Sequence, residues 1–463
     1  MSRNPVFTSV PQSGRTIPRG RTAAAIALAG GLIASLGACA SGDTTSTEQG
    51  PASTEIPSDP VEITMWTVQT GAAQDSLQGL IDAYEAENPN VTINLDYTES
   101  AAFSSTFKLV MSSDTAPDII ECGQGYTQMG PLVQSNLIIS LEPYDELYGW
   151  SDRIAEGFLG PSRMSDDGAS FGSGTLFGLP IAGNMIGIYY NVEKVDALGI
   201  DLDFQTVDDF TDALETAKAG GEVPIMFGNL DGDPGAKAWE PLMSAYQEKQ
   251  VKRDWITGVE GSNIQNPEAI EATQQLLDWS DAGYIYEGAA GTSRADGNAL
   301  YTGGEGVFAL TGSWYLGTYT EAMGENVGYT LFPRVNAGDP AQASGATSQP
   351  WCISSKSDYP DVAANFLDFT AQAENAQILW DGGFLPLVGA EDVVSPNTGS
   401  EQALEAWNTL VEQDGLTLHS DWATPSMQRT ENPGLQEVLA GRLSPEDFLG
   451  TMQQNWEDFQ ATK

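Results

Sequence analysis

Histidine is nearly absent: 463 residues contain one, His419, together with only three cysteines. A lone imidazole excludes metal sites built from several histidines and is expected to be structural rather than catalytic. Positive charge is scarce as well. Nineteen Lys and Arg stand against 64 Asp and Glu, a formal charge of −45, and Arg3, Arg15, Arg19 and Arg21 all precede the first cysteine. So acidic a body repels phosphate backbones and anionic headgroups, which excludes nucleic-acid binding and charge-driven membrane binding. No Gly-rich phosphate loop ending in Lys and Ser/Thr occurs. Apolar residues are not lacking. They make up 41% of the chain, with 11 Trp, 15 Tyr and 16 Phe, enough for sizeable cores in spite of the charge. At this length two or three domains, or one two-lobed unit, are expected.

The one extended apolar run, Ala23 to Ala38, is 16 residues long. That is short for a bilayer span of about 20 residues, and a basic segment precedes it, as in an export signal. It ends in Leu36-Gly37-Ala38-Cys39, which resembles the bacterial lipobox, where the cysteine is lipidated and becomes the new N-terminus. Residues 1–38 therefore read as a lipoprotein signal peptide. Residues 39–59, rich in Ser, Thr and Gly, read as a flexible tether. The expected location is the extracellular face of the bacterial cell membrane, anchored by lipid alone. An exported chain that keeps one further pair, Cys122 and Cys352, permits a disulfide or two buried thiols.

In the body, Val61, Ile63 and Met65 alternate with polar neighbours as in a strand. Leu77, Leu80, Ile81 and Tyr84 then share one helical face, closed by Asn88-Pro89, and Val91, Ile93 and Leu95 alternate again. A helix around Phe103 to Met111 and a buried strand at Asp118-Ile119-Ile120 complete a strand–helix–strand–helix–strand order, which predicts a parallel sheet covered on both faces. Ligands of such sheets lie beyond the carboxyl ends of the strands, here Thr67–Thr70 and Glu121–Gln124. Further on, strands are expected at Met185–Asn191, Pro224–Phe227 and Val307–Leu310. Helices are expected after Thr206, which Asp209 completes as a cap, after Asn266-Pro267, over Val362–Thr370, and after Ser444-Pro445. Asn229, Asp231 and Asp233 with Glu240 at the twelfth place imitate a calcium loop, but Pro234 stands where the turn requires glycine, so no metal is expected. Carboxylates are too numerous for any two to be read as an acid/base pair.

The pieces Leu80-Ile81-Asp82-Ala83-Tyr84-Glu85-Ala86-Glu87-Asn88-Pro89, Ala116-Pro117-Asp118-Ile119-Ile120, Gly178-Leu179-Pro180, Tyr189-Tyr190-Asn191, Gly312-Ser313-Trp314, Leu331-Phe332-Pro333, Ala363-Ala364-Asn365-Phe366-Leu367 and Gly382-Gly383-Phe384-Leu385-Pro386 occur in that order. Together they resemble the extracellular sugar-binding proteins of ABC importers, the family that includes maltose-binding protein. The resemblance implies an α/β, two-lobed, type II periplasmic-binding-protein-like fold. Each lobe would be a mainly parallel sheet flanked by helices, with a hinged cleft between them. One lobe would comprise 60–182 and 345–392, the other 183–344 and 393–463. It also implies capture of a carbohydrate, several aromatics suggesting an oligosaccharide, by a monomer that passes it to permease subunits. No catalysis and no cofactor are implied.

On the same basis Trp314 matches the family's stacking tryptophan and Trp422 a second aromatic, with Trp239, Trp351 and Phe384 as weaker candidates. The polar candidates are Gln69, Thr70, Glu121, Gln124, Asn184 and Asp231. In the family the strand near 351–355 runs antiparallel beside that near 118–122, which implies a Cys122–Cys352 disulfide. Two alternatives stay open: an anchored polysaccharide-degrading enzyme, and a receptor for a non-sugar solute such as glycerol phosphate. Phosphate would call for an arginine in the cleft, where arginine is expected to be scarce, Arg294 and Arg334 being the nearest.

Overall fold

The computed structural model describes residues 51–98 and 100–463; the signal segment and Cys39 lie outside them. Residues 51–463 form one compact unit. The strands are β1 (Val61–Thr67), β2 (Val91–Tyr97), β3 (Ile119–Glu121), β4 (Arg163–Met164), β5 (Thr175–Leu176), β6 (Ala182–Asn191), β7 (Phe308–Gly312), β8 (Val327–Thr330), β9 (Ala343–Thr347), β10 (Trp351–Ile353), β11 (Leu385–Pro386) and β12 (Leu416–Thr417).

The first sheet has the order β10-β3-β1-β2. β1 runs parallel to both β2 and β3, and only the edge strand β10 is antiparallel. The alternation in β1 places Val61, Ile63 and Met65 in the core beneath the helix Ala72–Glu87, which buries Leu77, Leu80, Ile81 and Tyr84. Each such large apolar side chain contributes about 1.5–3 kcal/mol on burial.

The second sheet is built around β6 and differs from the expected mainly parallel form. β6 pairs antiparallel with β7, β8, β9 and β11; only β12 beside β9 is parallel. Nearly every residue of β6 is buried, so its sequence reports a central strand, while strand direction leaves no trace in periodicity. The expected strand at Pro224–Phe227 shrinks to parallel bridges from Ile225 to Ile285 and Phe308, since Pro224 has no N–H to give a ladder. Helix starts follow their caps. Thr206 and Asp209 form a reciprocal capping box, and the Asn266 and Ser444 side chains accept from the amides of Ala269 and Asp447.

The end of the expected tether is corrected. Residues 51–59 run along the body: the Ser53 amide donates to Asp361 (3.2 Å), Asn90 donates to the Pro57 carbonyl (2.6 Å), and Ala52 and Ile56 pack on the core. Ile56 is reason enough, being apolar area that solvent would otherwise cover. The chain passes between the sheets at Pro180–Ile181 and at Ser348–Pro350, and returns between β10 and β11.

Candidate ligand-binding cleft

β1 and β3 are neighbours, with Trp66 opposite Ile120, so the loops after Thr67 and Glu121 meet at one end of the first sheet. Glu121 is 1% exposed. Its carboxylate accepts from the Thr67 hydroxyl (2.8 Å), the Val68 amide (3.1 Å) and the Gln69 side-chain amide. Burial raises its pKa, against the pull of those three hydrogen bonds. Among the described residues no cation pairs with it. Thr70 is exposed beside this cluster, and Gly71, at φ +57°, turns the chain into the next helix.

The opposite wall starts where β7 ends. Trp314 follows Gly312 by two residues, and a Cβ on Gly312 would lie 2.0 Å from the indole, so only glycine lets the ring fold back over the strand end. Ten of the 11 tryptophans are buried; Trp314 is the exception, at 37% exposure. Beside it is a recess of about 20 Å³ lined by Phe227, Asp233, Lys237, Arg294, Asn298 and Tyr315, among others. Arg294 bridges Asp231 (2.9 Å) and Asp233 (3.3 Å), while Lys237 stands 4.0 Å from Asp233 and 3.9 Å from Asp421.

Behind this wall Glu240 and Lys252 form a wholly buried ion pair. Ser344 of β9 donates to Glu240 (2.6 Å), as does the Ser420 amide (2.7 Å), which fastens the Thr417–Trp422 segment to the sheet. His419 lies between two tryptophans, its ring 6.5 Å from Trp314 and 5.0 Å from Trp422. Burial, with Lys237 nearby, lowers its pKa to about 3, so the imidazole is neutral.

The floor joins the walls. Gln124 donates to the carbonyls of Thr347 (3.0 Å) and Ser348 (2.7 Å), and Asn184 also donates to Thr347 (2.8 Å), all at the inter-sheet crossing. Cys122 and Cys352 are disulfide-bonded there, with Cα atoms 5.7 Å apart, tying the end of β3 to the strand that leaves the crossing. The walls touch at Trp422, which packs on Gly125, while the Thr127 hydroxyl lies 3.1 Å from the Asp421 and Thr424 carbonyls.

Two sheets joined by crossings, with aromatic and polar side chains near the crossing, have a counterpart among known families. Residues 79–407 match the model of the bacterial extracellular solute-binding proteins. The chain belongs to that family. A binding protein of Brucella abortus (strain 2308) is 26% identical over 315 residues, 66% of this chain and 71% of that protein. A chitin oligosaccharide binding protein superposes with a TM-score of 0.74 at 24% identity, covering 87% of this chain and all of that one. A sugar transporter protein of Bacillus licheniformis, solved with stachyose, gives 0.64 at 17% identity, covering 86% of this chain and 100% of the other. These likenesses establish the two-lobed type II fold.

In this solute-binding protein the residues expected to line the cleft divide. Gln69, Thr70 and Glu121 lie at the ends of β1 and β3, Gln124 and Asn184 at the inter-sheet crossing, Trp314 lines the recess, and Asp231 pairs with Arg294 at its edge. Trp422 is only 9% exposed, beneath Gly125. Trp239 is a correction: it is fully buried, donates to Thr273 (3.0 Å) and packs on Phe448, because its helix turns it to the core. Trp351 and Phe384 are likewise core residues, 2% and 9% exposed. Arg294 overturns the expected scarcity of arginine, whereas Arg334 is buried elsewhere against the Ser244 and Gln247 carbonyls. Lys237, Asp233 and Asn298 were not expected. Their signal was available: Lys237 is the one cation on its helix, four residues after Asp233, and Arg294 and Asn298 are four apart, on one helical face.

Proposed function

We propose that this protein is the substrate receptor of an ABC-type sugar importer. It is lipid-anchored through Cys39 at the extracellular face and acts as a monomer without cofactor or catalysis. The lobes 60–182 with 345–392 and 183–344 with 393–463 close on a carbohydrate, an oligosaccharide in preference to a monosaccharide, and hand it intact to the permease. The observation that carries this reading is Trp314, the one exposed tryptophan, backed by carboxylates and amides. A sugar ring offers such a wall an apolar C–H face and a rim of hydroxyls. Solved relatives by fold hold raffinose and stachyose. Among the described residues no helix is long and apolar enough to cross a membrane, which suits attachment by lipid.

A phosphate-bearing solute is the second reading, favoured by Arg294 and Lys237 in the same wall. Both cations are already flanked by carboxylates, so the sugar takes precedence. Thermal shift against chitin oligosaccharides, raffinose, stachyose and glycerol phosphate, with chromatography of the mixtures, tests the choice. A receptor is stabilised by a sugar and returns it uncut; cleavage of the sugar, or stabilisation by glycerol phosphate alone, contradicts it.

A further inference from the structure

Lys237 is a cation in ion-pair range of two carboxylates but without a hydrogen bond to any described residue. Its neighbours on the helix Asp233–Tyr246, Ala236, Ala238 and Trp239, are buried, and its own side chain is 13% exposed. The carboxylate oxygens nearest its ammonium, Asp421 Oδ2 and Asp233 Oδ1, stand at 3.9 and 4.0 Å, beyond hydrogen-bond range. No other acceptor is within reach among the described residues. An ammonium carries three donors, all of them free for a ligand at this partly buried position.

Lys237 and Asp233 both line the recess beside Trp314. At about 20 Å³ its inner space suits a small group such as a hydroxyl. A hydroxyl placed between the two can accept from the ammonium and donate to the carboxylate at once, which a separation of 4.0 Å permits. Charge then limits what else can enter. Arg294 is held by Asp231 and Asp233, and Lys237 stands between Asp233 and Asp421, with Glu431 buried behind Asp421. Burial raises the pKa of Glu431 well above the usual carboxylate range and favours its neutral form, so two cations meet the three carboxylates Asp231, Asp233 and Asp421, and an anion entering the recess gains little from Lys237. Burial opposes the Lys237 charge, but Asp421, Asp233 and Glu240 outweigh it and keep the ammonium protonated.

We propose that Lys237, with Asp233 facing it, is the specificity-determining contact of this wall. It receives one hydroxyl of an uncharged sugar lying on Trp314, and the surrounding carboxylates exclude uronic-acid and phosphorylated sugars. This rests on the sugar-receptor reading above.

Isothermal titration of the wild type, Lys237→Met, Lys237→Gln and Asp233→Asn tests it, against chitin oligosaccharides, raffinose, stachyose, oligogalacturonides and glucose 6-phosphate. The wild type is expected to bind a neutral sugar and neither acidic probe. Both Lys237 variants, with folding verified by circular dichroism, should bind that sugar about ten- to a hundredfold more weakly. Asp233→Asn should begin to admit an acidic probe. Unchanged affinity in a folded Lys237→Gln protein overturns the role of Lys237, and tighter binding of an acidic probe by the wild type overturns the ligand class without any variant. Failure of the wild type to bind any sugar instead removes the receptor reading itself.

Discussion

Around Glu121 the donors in reach already have their acceptor, whereas around Lys237 the acceptors stop at 3.9 and 4.0 Å. The first wall is therefore complete in itself: Thr67, Val68 and Gln69 are held by one carboxylate, and Gln124 by the crossing. The second wall carries an exposed indole and an ammonium whose hydrogen bonds are unmade. A cleft divided in this way separates two tasks. Under the proposed closure on a sugar, one side would keep a fixed shape and the other would supply the contacts that reward closure. Residues of the first wall should act mainly through stability, those of the second mainly through affinity.

Two tryptophans give the widest separation. Trp239→Ala should lower unfolding free energy by about 3–5 kcal/mol, read from urea midpoints, because it empties a closed core. Trp314→Ala should leave those midpoints within about 0.5 kcal/mol and weaken sugar binding by about thirtyfold, as for an anchoring aromatic near 2 kcal/mol. Equal stability losses in the two variants would erase the distinction between core and cleft tryptophans. Next in size, Glu121→Gln leaves one acceptor oxygen where three donors converge. It should cost about 1–3 kcal/mol of stability with a smaller change in affinity; the reverse order would make Glu121 a ligand contact instead of a positioning residue.

An effect confined to acid pH concerns His419, which lies between Trp314 and Trp422. The native imidazole stays neutral down to about pH 3, while an unfolded one protonates near pH 6.5. Between those values the unfolded chain binds the extra proton, so stability falls as pH drops. His419→Gln should flatten that part of the stability–pH curve; an unaltered slope would place the acid sensitivity elsewhere, with Glu240, whose pKa Lys252 and other nearby cations hold down.

Much of this was legible from residue order. Alternation at Val61–Met65 and the spacing of Leu77 to Tyr84 located the first sheet and its covering helix, because each element there has one buried face. The glycine two residues before Trp314 marked an aromatic at a strand end, where its ring needs the missing Cβ. The antiparallel run of β6 was hidden, since a strand buried on both faces reads the same in either direction. Trp239 and Trp314 are chemically identical, and only packing tells core from cleft. Lys237 went unseen, and Arg294 was read only as one of two arginines nearest the cleft, because their importance lies in how Asp231, Asp233 and Asp421 surround them, and those acids come from separate elements.

One titration bears most directly on what the cleft is for. When the wild-type protein is titrated with chitin oligosaccharides, raffinose and stachyose, and each sugar is recovered afterwards, a receptor gives saturable heat at one site per chain with at least one of them and returns that sugar unchanged. Absence of heat with every sugar, or recovery of shortened fragments, would contradict carbohydrate capture by these two walls.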